Sequence, residues 1–195
     1  MIIVGLTGSI GMGKSTTAQM FKDAGAAVFD ADAAVHALYA KGGAAVPIID
    51  AAFPDVVVDG AIVREKLAVY LQNDPLHLQV LESFIHPLVG EMRNIAVAQA
   101  RSEAKSVMVF DIPLLFETGG ETKVDKVVVV SADAKIQRER VLARFGMNLD
   151  KLKLILSRQM PDAEKRKRAD YIVQTDKGLD FARQQVQNIM DDFLA

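Results

Sequence analysis

The chain has 195 residues, a formal net charge of −2 and no cysteine, with half of its residues hydrophobic and a quarter charged. That length holds one full α/β core with appendages, and the composition argues against extensive disorder. Without cysteine there are no disulfides and no thiolate metal sites, which suits a reducing compartment. No basic segment precedes the apolar start, and that start is too short for a signal sequence or a membrane span, so a cytoplasmic protein with no membrane partner is expected. The small net charge hides an asymmetry: residues 135–168 carry eleven Lys and Arg against four Asp and Glu, a local +7 that leaves −9 for the rest. A basic segment on an acidic protein points to a local anionic ligand rather than to wholesale nucleic-acid binding.

In chain order, residues 1–6 form an apolar, β-branched run that reads as a buried strand. Residues 8–15, Gly8-Ser9-Ile10-Gly11-Met12-Gly13-Lys14-Ser15, then match G-x-x-x-x-G-K-[ST], and a helix starts at Thr16. Strand, glycine-rich turn and helix is the context in which this motif binds phosphate. Its glycines let successive N–H groups turn toward an anion, and the helix adds its positive dipole end. The candidate ATP-binding residues are Gly8, Gly11, Met12, Gly13, Lys14, Ser15 and Thr16. Lys14 is placed to reach the β- and γ-phosphates and the Ser15 hydroxyl to hold Mg²⁺.

A second strand, 26–30, ends in Asp30-Ala31-Asp32, and a helix over 33–40 stops at Gly42-Gly43. From 44 to 104 the strand signal nearly vanishes. One helix is expected around 62–71, one over 76–84 and a third from Leu88 to about Arg101, with Pro87 as the break between the last two. Strands return at 106–111 and 126–131 as continuous apolar runs, the pattern of parallel strands covered on both faces. Helices follow at 133–145 and 149–159, then a charged stretch, 162–168, a short strand at 171–173 and a closing helix, 179–194.

This alternation predicts an α/β fold: a P-loop NTPase-like parallel sheet of about five strands with helices on both faces. The core takes residues 1–43, 105–134 and 169–195, a helical acceptor-binding insertion 44–104, and a basic helical lid 135–168. The layout suits a small-molecule kinase. A guanine-nucleotide switch is the first rival, since Thr122-Lys123-Val124-Asp125 matches T-K-x-D. That segment leads into a strand instead of following one, and no D-x-x-G is present, so it reads as a surface turn. A nucleic-acid-dependent ATPase lacks support, because the basic segment holds a single aromatic residue, Phe145, and no stacking platform.

A kinase needs an acceptor base and shelter from water. Asp30 and Asp32, just past the second strand, lie where ligands bind such sheets, and either could take a proton; Asp32 could equally cap the helix at 33. Arg140 and Arg144, at i and i+4, share a helix face that suits either a phosphate-covering lid or plain solvation. Asp111 ends a buried strand, where it could position Mg²⁺ or its waters, or cap the next turn. His36, His77 and His86 have no metal-ligand spacing, and His86 by itself reads as structural. The eight methionines are scattered and read as core filler.

From residue 2 to about 178 the chain resembles the dephospho-CoA kinase family. The segments that carry the resemblance, in order, are Leu6–Thr16, Phe29-Asp30-Ala31-Asp32, His86-Pro87-Leu88-Val89, Pro113-Leu114-Leu115-Phe116-Glu117, Arg140 with Arg144, Ser157-Arg158-Gln159-Met160-Pro161 and Ala169-Asp170-Tyr171-Ile172-Val173. The resemblance implies transfer of the γ-phosphate of ATP to the ribose 3′-hydroxyl of dephospho-CoA, with Asp32 as general base and Lys14, Arg140 and Arg144 as further catalytic residues. It places Asp30, His86, Pro113, Leu114 and Leu115 on the acceptor side. The metal residues Ser15 and Asp111 come from the loop motif and the strand end, since an acid at 111 is not a constant feature of the family, and no protein or nucleic-acid partner is expected. Another P-loop small-molecule or nucleoside monophosphate kinase is the alternative. Gln174-Thr175 departs from the Asp-Asn common in the family, in a loop near the adenine.

Overall fold

Strand β1, Ile2–Thr7, is flanked on both sides by parallel neighbours, so its backbone is paired along both edges, and Val4 to Thr7 are buried. The computed structural model describes residues 1–195, the side chains of Asn73 and Pro75 excepted. Two compact units are found, one of residues 1–29 and 100–195, the other of residues 30–99.

The first unit is built on a five-stranded sheet in the order β2-β5-β1-β6-β7, where β2 is Ala27–Asp30, β5 Val107–Asp111, β6 Lys126–Ser131 and β7 Tyr171–Gln174. The β1–β5, β1–β6 and β6–β7 pairs are parallel, with Leu6 opposite both Asp111 and Val128. Alternation sorts the side chains. Val4, Leu6, Val128 and Val130 face a core completed by Phe21 of α1 (Lys14–Asp23) and by Val186 and Ile189 of α9 (Leu179–Leu194). Val127 and Val129 face the other way, onto Leu115 and Phe116. A Cβ at Gly5 would come within 2.7 Å of Leu115 Cδ2, so glycine there lets the 112–119 loop lie close on the sheet. Fully burying an aliphatic or phenyl side chain contributes roughly 1.5–3 kcal/mol, and side chains on both faces of the sheet contribute in this way. Past β6 come α6 (Ala134–Leu142), α7 (Leu149–Ser157) and α8 (Asp162–Lys167).

The T-K-x-D segment begins in a 3-10 turn, Gly120–Lys123, and Asp125 accepts the Ile3 N–H at 2.7 Å. It is structural, as expected.

In the second unit α2 is Ala31–Tyr39, two residues earlier than the expected helix. Asp30 is therefore the cap, accepting the Ala33 N–H at 2.9 Å, and Asp32 lies in the first turn. The expectation that Asp32 might cap is corrected by this shift. After α3 (Val46–Ala52), an antiparallel hairpin of β3 (Val57–Val58) and β4 (Ala61–Ile62) interrupts the expected all-helical stretch. Its turn residues Asp59 and Gly60 have φ of 51° and 80°, the left-handed pair that joins two-residue hairpins. Helix α4 is Arg64–Asn73, and Ile62 belongs to β4.

The break expected at Pro87 does not occur: α5 runs unbroken from Pro75 to Ser102 with Pro87 inside it. Pro87 and Ser83 are both exposed, so the Ser83 carbonyl that loses its N–H partner can be solvated. Neighbouring Leu81 and Ile85 are buried with Ile49, Phe53 and Leu67, and that packing holds the helix together.

Candidate active site

The carboxyl ends of β1 and β5 abut because Leu6 is in register with Asp111. The chain leaving β1 must turn sharply into α1, and Gly11 and Gly13 make that turn at φ of 79° and 95°. Space matters as much as dihedral angle: a Cβ on Gly8 would sit 2.6 Å from the Val130 carbonyl oxygen, and one on Gly11 2.5 Å from Val141 Cγ2. Gly13 precedes α1, so the free N–H groups of the helix start lie beside the loop. Lys14 opens the helix and pairs with Asp111, which is buried. Of the two residues expected at a metal, Asp111 pairs with the loop lysine and Ser15 lies exposed on the first turn of α1.

Arg140 and Arg144 both line a cleft of about 340 Å³, together with Gly11, Gly13, Thr175 and Leu179. Arg140 is engaged: it donates to Thr175 Oγ1 at 2.9 Å and to the Thr175 carbonyl at 2.7 Å. Thr175 in turn donates to the Met12 carbonyl at 2.7 Å, linking the β7 loop to the P-loop. Arg144 is exposed and, among the described residues, its guanidinium has no hydrogen-bond or ion-pair partner. One arginine therefore braces the loop while the other is open to a ligand.

The 113–117 loop splits likewise. Leu114 is exposed, whereas Leu115 is fully buried, so its side chain is core and not binding surface. The Pro113 carbonyl accepts from Thr7 Oγ1 at 3.0 Å and from Lys165 Nζ at 3.2 Å. Lys165 is itself fully buried and pairs with Glu117 at 2.8 Å, and Glu117 also accepts the Met160 N–H at 2.7 Å. Burial pushes the Glu117 carboxyl up, but the hydrogen bonds from Lys165 and the Met160 N–H outweigh it and hold Glu117 below its ordinary value.

In the second unit Asp32 and His86 are exposed, and among the described residues neither side chain has a hydrogen-bond or ion-pair partner. Sequence reasoning missed Gln137, Gln159 and Lys165. Gln159 stood inside a family-like segment without a role, and Lys165 was hidden in a basic run.

A parallel sheet whose first strand feeds a lysine-bearing glycine loop, next to a carboxylate strand and a basic helical segment, defines a P-loop kinase. A sequence model described as dephospho-CoA kinase matches residues 2–180. A dephospho-CoA kinase of Mesorhizobium japonicum is 54% identical over 192 residues, 98% of this chain and 96% of the relative. A crystal structure from Thermus thermophilus is 32% identical, covers 100% of this chain and 98% of its own, and superposes with a TM-score of 0.85. Dephospho-CoA kinase from Campylobacter jejuni is 25% identical, with 97% and 96% of the chains covered and a TM-score of 0.70. The chain belongs to the dephospho-CoA kinase family. It is a phosphotransferase with an alcohol acceptor, uses ATP as co-substrate and completes coenzyme A biosynthesis. Among the described residues no helix is long and apolar enough to cross a membrane.

Proposed function

We propose that Asp32 is the general base of the transfer, drawing the proton from the ribose 3′-hydroxyl as that oxygen attacks the γ-phosphorus of ATP in line, with no phosphoenzyme. The observation that carries this reading is the division of labour at the start of α2. The Asp30 carboxylate is occupied by the Ala33 N–H, whereas Asp32 is exposed and uncommitted. Asp30 then acts by fixing the helix start on which Asp32 stands. The N–H groups of residues 11–16 and the Lys14 ammonium hold the β- and γ-phosphates, with Gly8 giving the loop room. Arg144 and Arg140 neutralise charge on the moving phosphoryl group. The cleft beside Thr175 and Leu179 takes the adenosine end of ATP.

On the acceptor side we assign His86 of α5 and, in the 113–117 loop, Pro113 and Leu114, with Leu115 anchoring that loop from the core. Residues 44–104 act as the acceptor-binding part and 135–168 as the lid, in a cytoplasmic enzyme that needs no protein or nucleic-acid partner. The Ser15 hydroxyl and the Asp111 carboxylate are hard oxygen donors. Among the described residues no group of three or more His, Cys, Asp and Glu could cage a cation. That donor set fits Mg²⁺, which is commonly held by one or two protein oxygens, substrate phosphates and water. When bound, Mg²⁺ supplies neutralisation of the β- and γ-phosphate oxygens.

The test separates the two carboxylates. Asp32→Asn lowers kcat by about 10²–10⁴ with ATP binding nearly intact, whereas Asp30→Ala costs about 1 kcal/mol of stability through the lost cap. Full turnover by Asp32→Asn in an ADP-release assay with dephospho-CoA removes Asp32 from the base role.

A further inference from the structure

Ile10, in the middle of the P-loop, is held at both of its peptide groups by side chains from outside the loop. Its N–H donates to Gln159 Oε1 at 3.0 Å, and its carbonyl accepts from Gln137 Nε2 at 2.8 Å. The two amides are used in opposite senses, and the backbone dictates which: an N–H can meet only the amide oxygen and a carbonyl only the NH₂ group. Gln137 is a buried residue of α6, and Gln159 lies just past α7, in the bend before Pro161. They stand at the near and far arms of the basic segment that carries Arg140 and Arg144. Within the loop itself the backbone is tied by the Met12 N–H to the Ser9 carbonyl at a long 3.2 Å. The loop therefore depends on outside partners for the orientation of the Ile10 peptide groups.

We infer that Gln137 and Gln159 are positioning residues for phosphoryl transfer, clamping Ile10 so that the loop is shaped for a triphosphate and moves only with both arms of the lid. Neither glutamine touches a phosphate in this role. Each acts through the peptide groups of Ile10, and the N–H groups that follow are aimed as a consequence. The inference rests on the reading of residues 8–16 as the ATP site.

The experiment is steady-state kinetics on full-length Gln137→Met, Gln159→Met and the double variant, varying ATP and dephospho-CoA separately, with Lys14→Ala as a control. Methionine keeps length and loses the hydrogen bond. Each single variant should raise KM for ATP about tenfold, the worth of one lost hydrogen bond, and leave KM for dephospho-CoA within about twofold. The double variant should fall short of the product of the singles, because both clamp one residue. Gln137→Glu should be worse than Gln137→Met, since a carboxylate would face the Ile10 carbonyl. Should Gln137→Met fail to fold, half-exposed Gln159 carries the test, with Gln159→Asn as its second variant. Folded Gln159 variants with KM for ATP within about twofold of the parent overturn the inference, as does an equal rise in both KM values. Loss of ATP binding in Lys14→Ala alongside such a result leaves the ATP site standing and removes only the clamp. Unimpaired ATP binding by Lys14→Ala removes the site, and the clamp with it.

Discussion

Replacing Lys165 by Met probes the buried ion pair that joins the 113–117 loop to α8. The ammonium lies 2.8 Å from Glu117 Oε1 and 3.2 Å from the Pro113 carbonyl, and the Lys165 side chain has 0% exposure against 16% for Glu117. Removing one partner of a buried pair costs about 3–5 kcal/mol, because the other charge stays behind. For Lys165→Met the lower end, about 3 kcal/mol, applies: the Glu117 carboxylate keeps the Met160 N–H and retains some access to water. Glu117→Gln strands a cation with no access to water and belongs at the upper end, about 5 kcal/mol. In a chain of this size each kcal/mol shifts Tm by about 2–4 °C, so Lys165→Met should melt about 6–12 °C early by scanning calorimetry. The double variant should be less destabilised than the sum of the singles by about 2 kcal/mol or more, since neither charge is left alone. A Tm loss below about 2 °C for Lys165→Met, with strictly additive singles, would refute the reasoning and reduce the pair to a surface-like contact.

The same carboxylate makes an acid-side prediction. Glu117 is held below its ordinary value in the folded protein, so its contribution to stability is present above the unfolded value, about 4.3, and is lost as pH falls through the folded one. Tm measured from pH 6 downward should therefore fall less steeply below about pH 4.3 in Glu117→Gln than in the parent, and parallel curves would remove Glu117 from the acid limb. Pro87→Ala should restore the missing N–H to the Ser83 carbonyl within α5. The helix gains up to about 3 kcal/mol from removing proline, less about 1 kcal/mol of lost unfolded-state restraint, and Tm should rise. A fall in Tm would mean that Pro87 packs in a way its exposed position does not suggest.

What could be read from the residues alone followed the range of the interactions. β1, β5 and β6 were legible because two-sided burial writes a continuous apolar run into neighbouring positions. The P-loop was legible because its constraint is local: Gly11 and Gly13 must accept positive φ within a few residues of Lys14. Pro87 misled because proline's missing donor is a local cost, while the burial of Leu81 and Ile85 that offsets it is tertiary. The β3–β4 hairpin was missed despite Asp59-Gly60, since two-residue strands are too short to show alternation. The cap proved to be Asp30 and not Asp32, because a two-residue shift in a helix start changes which carboxylate can reach the N–H at the third position.

Lys165, Gln137 and Gln159 belong to a different class. Among the eleven basic residues of 135–168 nothing local distinguishes the one that is fully buried, and nothing in a glutamine marks it as a partner of a backbone 127 or 149 positions away. The two glutamine contacts nevertheless tie the P-loop to segments far along the chain. The loop motif specifies an anion cradle. Its attachments specify when the cradle has the right shape, through Thr175 and Arg140 at Met12 and through the two glutamines at Ile10. Many kinases can share eight residues of loop. In this chain those attachments run to segments outside the motif. On the proposed clamp, control of the donor resides as much in residues 137, 159 and 175 as in the motif that announces it.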